Sequence, residues 1–441
     1  MEEIRQARLR RFRPYSEYRN TDLAWPRALP SHWEILRLKL AAGITAGQSP
    51  PSEAVRDAAG GLKFLQGNAE FGEVNPTPRF SCDEAPKRAK PGDILLSVRA
   101  PVGAINVADQ PYGIGRGLCA IRPRSGLARE YAYYLLFAVR WQLNLTASGS
   151  TYDAVTAGDV GDLTALVPSL SEQRAIASFL DRETAKIDEL VAKKEQLIEL
   201  LQQKRTALIT RAVTQGLDPN VFMKDSGVEW LGRIPAHWDL KPLKYLIAAP
   251  LAYGVLKPDK YEGGDGVLLI RILDVEMGEV HENQVERISP EQSIEYCRTI
   301  VNPGDLILSV VGTIGRCFVV PESLAGANLS RALARIQLGP QGDARFVEYL
   351  FASTAFRTFV DLIPAGTAQK VLNLGDLADF VVPLPQVREQ REIVNRLDQE
   401  VGAVDSLARR IAAGIERLKE FRTALISAAV TGKIDVREDS E

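Results

Sequence analysis

Apolar residues between 171 and 214 recur at intervals of three and four: Ile176, Leu180, Ile187, Leu190, Leu197, Leu201 and Leu208 form a stripe flanked by charge. That period predicts one long amphipathic helix whose stripe needs a facing partner. A second stripe, Ile393, Leu397, Val404, Leu407, Ile411, Leu418, Phe421 and Leu425, runs through 388–431. Glu183, Lys194 and Lys204 interrupt the first stripe, and Glu400 and Gly414 the second. The two are copies. At an offset of 217, Glu172-Gln173-Arg174, Leu180-Asp181, Asp188 and Arg205-Thr206-Ala207 meet Glu389-Gln390-Arg391, Leu397-Asp398, Asp405 and Arg422-Thr423-Ala424. A helix of this length spans roughly 65 Å at about 1.5 Å per residue, so the natural partner of each stripe is the other copy, and pseudo-two-fold packing makes the pair antiparallel.

The segments before each stripe also repeat. Leu29-Pro30-Ser31-His32-Trp33 returns as Ile234-Pro235-Ala236-His237-Trp238, with Trp25 matching Trp230 and Lys39 matching Lys244. A proline ahead of His-Trp predicts a fixed lead-in with a packed indole and a locally bonded, structural imidazole. Pro91-Gly92-Asp93 and Pro303-Gly304-Asp305 are turns that open short β-rich runs. Glycine-containing turns at 100–103 and 312–315 then predict hairpins, and further strands end at Arg122-Pro123 and Arg335-Ile336. Short helices follow around 131–141 and 346–359, with Tyr134 matching Tyr349, and Pro-containing strands deliver the chain to each long helix. Matches at offsets of 205, 212, 215 and 217 describe one duplicated unit with small loop insertions. The expected fold is α+β: two pseudo-symmetric globular domains, each a β-rich mixed sheet with short helices, separated by two long helices that form an intramolecular antiparallel coiled coil. The divisions fall at 1–168, including an arginine-rich arm over 1–28, at 169–218 for the central helix, at 219–385 for the second domain, and at 386–441 for the second helix and tail.

Charge changes the picture by its distribution. The net charge is −2. Lys and Arg exceed Asp and Glu by 21 to 17 over 1–165 and fall short by 15 to 20 over 220–380. A protein holding DNA by broad phosphate neutralisation alone would be more basic; if the chain binds nucleic acid, either local patches or partner subunits must supply the positive charge. At 441 residues two or more cores are expected. Cys82, Cys119, Cys297 and Cys317 lie in no CxxC or Cys/His cluster, which points to buried free thiols, with no metal site expected. The apolar runs are too short to span a bilayer, and the N-terminus has no signal-peptide pattern, so a cytoplasmic location is expected.

Catalytic signatures are missing from the sequence. Gly113-Ile114-Gly115-Arg116-Gly117 precedes a strand, as a turn does, and not the helix of a nucleotide loop. There is no Walker lysine, no HExxH, no GxSxG and no amino-methyltransferase Asn-Pro-Pro-Tyr. What differs between the copies is the polar content of the loops. Gln66, Asn68, Arg99, Arg116, Ser150, Thr151 and Tyr152 belong to the first domain; Arg271, Thr313, Arg316, Asn328, Arg331, Thr367, Gln369 and Lys370 belong to the second. Arg can read guanine, Asn or Gln can read adenine, and Ser, Thr and Lys can hold phosphates. A constant frame with changed loops suits DNA recognition. For the second domain this requires a local basic patch around Arg271, Arg316, Arg331 and Lys370.

With the repeated Pro-x-His-Trp lead-in, the Pro-Gly-Asp strand and the Glu-Gln-Arg helix start in view, the chain resembles the specificity subunit of type I restriction-modification systems. The resemblance implies a non-catalytic protein with two target-recognition domains, each reading half of a bipartite DNA site. It implies that the helices space the halves and dock two modification subunits carrying S-adenosylmethionine chemistry. Two restriction subunits, with ATP and Mg, would complete the assembly, so no cofactor is expected on this chain itself. The helix residues offered for spacing and docking are the stripe residues Ile176, Leu180, Ile187, Leu190, Leu197, Leu201, Ile393, Leu397, Val404, Leu407, Ile411 and Leu418, with Arg182, Lys186 and Lys193 on the outward face. The alternatives are a self-contained DNA methyltransferase or nuclease, which would bind S-adenosylmethionine or cut DNA by itself, and a coiled-coil scaffold without base recognition.

Overall fold

The computed structural model describes residues 12–23, 25–57, 60–147, 154–259, 261, 263–271, 274–276, 279–280, 285–363 and 370–437. The chain divides into two compact units, Met1–Lys194 with Ala413–Glu441, and Glu195–Ala412. The expected long helices are Leu170–Gln215 and Val387–Val430, and each contributes one part to each unit.

In the first unit an antiparallel sheet runs in the order Ile105–Val107, Ile94–Ser97, Leu118–Pro123, Ala42–Ala46. The first two strands are the hairpin expected after Pro91-Gly92-Asp93. A second sheet contains a parallel pair, Lys63–Leu65 with Tyr112–Ile114, flanked by Phe80–Ser81, Arg56–Asp57 and Arg88–Ala89. Glu34–Arg37 pairs antiparallel with Thr164–Val167, the strand that feeds the long helix. Helix Arg129–Val139 buries Tyr131, Leu135 and Leu136 in a core shared with Trp33, Ile176 and Leu180. The second unit repeats the plan. Its antiparallel sheet is Ala252–Tyr253, Leu333–Ile336, Leu306–Ser309, Cys317–Val319, its parallel pair is Val267–Ile270 with Asn328–Leu329, and Asp239–Pro242 pairs with Val381–Leu384. Helices Ala344–Phe351 and Thr354–Leu362 bury Phe346, Leu350 and Phe356 around Trp238, Ile393 and Leu397.

The repeated sequence phrases are the locks of this frame. Glu172, in the first turn of the long helix, accepts from Trp33 Nε1 at 3.1 Å and bonds His32 Nε2 at 3.0 Å. Glu389 does the same with Trp238 at 2.9 Å and His237 at 3.0 Å. The neighbouring Gln173 accepts from Ala128 N and donates to Gly126 O and Pro168 O, and Gln390 bonds Asp343 N, Gln341 O and Pro385 O. Both imidazoles are therefore structural, as expected. The aspartate of each Pro-Gly-Asp is buried and takes a charge-assisted bond from the next strand: Arg122 Nε to Asp93 at 2.7 Å, and Arg335 Nε to Asp305 at 2.7 Å. Tyr134 donates to Asp181 and Tyr349 to Asp398, each at 2.6 Å, and burial first, then the carboxylate, pushes both phenols up. Gly432 ends the second helix in the left-handed conformation at φ 67°, and a Cβ there would lie 2.5 Å from Pro30. Only glycine both stops that helix and lets it close on the Pro-His-Trp lead-in.

Within each unit the helical segments run antiparallel. In the first, Asp188 meets Arg422 and Lys194 lies beside Gly414; in the second, Arg205 meets Asp405 and Gly216 lies beside Glu389. The expected stripes are corrected at three places. Leu190 and Leu197 are 43% exposed and Leu407 is 45% exposed. Covered positions step instead through Leu180, Thr184, Ile187, Val191, Lys194, Ile198, Leu201 and Arg205, and through Leu397, Val401, Val404, Ala408, Ile411, Ile415, Leu418 and Arg422. Both series alternate fours and threes, the coiled-coil repeat. At Lys194 and Arg205 an aliphatic stem lines the seam and the charge reaches its edge.

Candidate nucleic-acid interface

Three of the first unit's expected DNA-facing residues come together. Gln66, Arg99 and Arg116 line one cavity of about 800 Å3 with Ser49, Arg56 and Phe80. Gln66 follows the strand Lys63–Leu65, and Arg99 follows Ile94–Ser97 and forms a bridge with Ala154. Arg116 sits in the glycine-rich segment, which joins strand Tyr112–Ile114 to strand Leu118–Pro123 with no helix after it. A Cβ on Gly117 would lie 2.7 Å from Gln66 O, so glycine lets the two backbones touch while Arg116 stays exposed between them. Asn68, in the turn after Gln66, is half-buried and is not among the cavity's lining residues. Arg56 was missed in the sequence, where its polar neighbours Ser52, Glu53 and Asp57 resemble any solvated loop.

The guanidiniums of Arg56, Arg99 and Arg116 form no ion pair among the described residues, although Asp57 lines the same cavity. Elsewhere in this unit the contrast is sharp. Arg122 is held by Asp93, whose hydrogen bonds raise its pKa above the ordinary value. Tyr112, on the same strand as the glycine segment, is pushed up to about 12 by burial and by its bond to Asp109.

The second unit distributes its candidates differently. Thr313, Arg316 and Lys370 line a cavity of about 400 Å3 together with Arg357, and Lys370 is paired with Asp361 at 2.8 Å. Arg331 is exposed. Two expectations are corrected. Arg271 is committed to Asp274 through two bonds of 3.0 and 2.8 Å and to Glu286 at 2.6 Å, and the Asp274 bond raises its pKa. Asn328 is 0% exposed, accepts from Thr299 Oγ1 and donates to Ser293, so its amide holds the interior together. Of the four residues named for a basic patch, Arg316 therefore shares its cavity with Arg357 and with the Asp361-paired Lys370, while Arg331 is exposed outside that lining. Ser150, Thr151, Tyr152, Thr367 and Gln369 lie outside the described residues.

Of the helix residues, Ile176, Leu180, Ile187, Leu201, Ile393, Leu397, Val404, Ile411 and Leu418 are buried within the chain. They build the helix pair and its anchors to each unit, which leaves them no surface for a partner. Outward positions remain: Lys186 is paired with Glu183 at 2.8 Å and Lys193 with Glu189 at 2.6 Å, and Arg182 lies 5.7 Å over the Phe179 ring. Among the described residues no His, Cys, Asp or Glu cluster could hold a metal and no helix is long and apolar enough to cross a membrane; all four cysteines are free, Cys82 and Cys119 buried as expected, but Cys317 only half-buried and Cys297 exposed.

The comparisons agree with one another. A family model described as the type I restriction modification DNA specificity domain matches residues 30–200 and 275–417. The chain is similar to the type I restriction enzyme EcoBI specificity subunit of Escherichia coli, at 28% identity over 80% of this chain and 75% of that one. It is similar along nearly its whole length to the type I restriction enzyme MjaIX specificity subunit of Methanocaldococcus jannaschii, at 24% identity over 97% of this chain and 99% of the other. Among solved structures, a chain from work on complex assembly and conformational transition of the type I R-M system aligns with a TM-score of 0.70 at 20% identity, covering 92% of this chain and 99% of that one, which shows a shared fold.

Proposed function

The chain belongs to the type I restriction-modification DNA specificity family, and from that premise we propose that each unit reads one half of a bipartite DNA site while the paired helices set the gap between the halves. The observation that carries this reading is one frame built twice with its loops changed. The Glu-His-Trp, Asp–Arg and Tyr–Asp locks recur in both units. By the same strand register, Gln66 after Leu65 is replaced by Arg271 after Ile270. Locks that fix the frame leave the loops free to differ, and differing loops are what two different half-sites require.

In this reading the chain is non-catalytic and works in the cytoplasm. Two modification subunits dock on outward helix positions and supply S-adenosylmethionine chemistry, and two restriction subunits bring ATP- and Mg-dependent cleavage. This chain supplies the address. The specificity-subunit names of its relatives and the lack of catalytic motifs in the sequence support the division of labour. Methylome sequencing of the host with and without the gene tests it: loss of methylation at one bipartite motif is expected, and an unchanged methylome refutes it.

A further inference from the structure

The arginines of the first unit's cavity suit a different task from base reading. Base edges lie at the floor of a groove about 8.5 Å deep, where protruding helices or β-ribbons reach them. A concave surface meets the opposite feature of the duplex, the sugar–phosphate ridge. The cavity holding Arg56, Arg99 and Arg116 is concave and walled also by Ser49, Gln66 and Asp57, and none of the three guanidiniums forms an ion pair among the described residues. Three cations against one carboxylate leave the hollow with a net positive charge, and that arrangement is relieved by an anion.

We propose that Arg56, Arg99 and Arg116 form a seat for backbone phosphate of DNA, fixing the register of the first unit on the duplex without reading its sequence. The proposal rests on the first unit being a DNA-binding unit, and it removes these arginines from the base-reading set. Among its described residues the second unit does not repeat this trio. By strand register Arg271 takes the place of Gln66 and is already neutralised by Asp274 and Glu286, and Val311 takes the place of Arg99, each bridging to the segment before the unit's last short helix.

The test uses full-length chain assembled with its modification subunits. Arg99→Gln, Arg116→Gln and Arg116→Lys are compared with wild type for binding to cognate and non-cognate duplexes between 50 and 200 mM salt, as roughly the range over which phosphate contacts are felt. Each Gln variant is expected to bind both duplexes more weakly by a similar factor, of order tenfold, and to lower the salt slope by about one, while Arg116→Lys keeps the slope. The methylated motif stays unchanged. A motif that relaxes at one base pair with the salt slope intact overturns the seat in favour of base reading, and an unmoved affinity and slope overturns it outright. If wild-type complex does not bind DNA, the family reading of the unit fails with it; if wild type binds and the Gln variants match it, only the seat fails.

Discussion

Arg422 donates to Asp188 at 2.9 Å across 234 positions of sequence, and Arg205 donates to Asp405 at 3.0 Å across 200. Since Asp188 aligns with Asp405 and Arg205 with Arg422 in the duplicated sequence, each unit makes the same ion pair with the roles of the two helices exchanged. A duplicated chain that pairs with itself antiparallel must produce such reciprocal contacts.

The Arg422–Asp188 pair is partly exposed, so its worth is small. Asp188→Arg is expected to destabilise by about 1 kcal/mol through like-charge contact with Arg422, and adding Arg422→Asp should recover most of the loss. Denaturant unfolding of the two single variants and the double variant reads the coupling.

Glu172→Ala should cost more, about 2 kcal/mol, because the buried Trp33 indole N–H loses its acceptor. Glu389→Ala should cost less, since Glu389 is more open than Glu172 and water can replace the lost acceptor. Paired unfolding curves of the two variants check the order.

The Asp–Arg locks make a second comparison. Arg335 is 13% exposed and Arg122 is 45% exposed, over aspartates that are almost equally buried. Arg335→Ala should therefore cost about 3 kcal/mol, the scale of stranding a buried carboxylate, and Arg122→Ala less because solvent reaches Asp93 through the opened site. Thermal melts of both variants decide it.

Much of the frame was legible in the sequence because the residues that repeat are the ones that lock. His32, Trp33 and Glu172 were each visible in duplicate, although their meeting in one hydrogen-bonded cluster was not. The seam was legible in period and at most of its positions, and missed at three. Leu190, Leu197 and Leu407 keep the apolar spacing, yet their neighbours Val191, Ile198 and Ala408 are the covered ones. Periodicity gives the spacing, and the facing surface decides which of two adjacent phases is covered. The readers were less legible for an electrostatic reason. Arg271 carries its neutralising partner three residues on, at Asp274, and a second, Glu286, from the neighbouring strand. An arginine count cannot see that compensation. Asn328 is buried in a short strand whose polar residue gave no sign of it in the sequence.

The helices offer a graded test of spacing. Inserting one heptad after Ile198 and another after its counterpart Ile415 preserves the four-three phase of both seams. Seven residues add about 10 Å of helix, or roughly three base pairs of duplex at about 3.4 Å each. The methylated motif should keep both half-sites and widen its gap by about that amount, as read by methylome sequencing.

The central claim, one unit for each half-site, is tested most directly by replacing residues 12–167 with the corresponding segment of a relative and sequencing the methylome of the recipient host. The account predicts a motif in which one half-site becomes the relative's while the other half-site and the gap are retained. A motif unchanged in both halves, or altered in both, would contradict it.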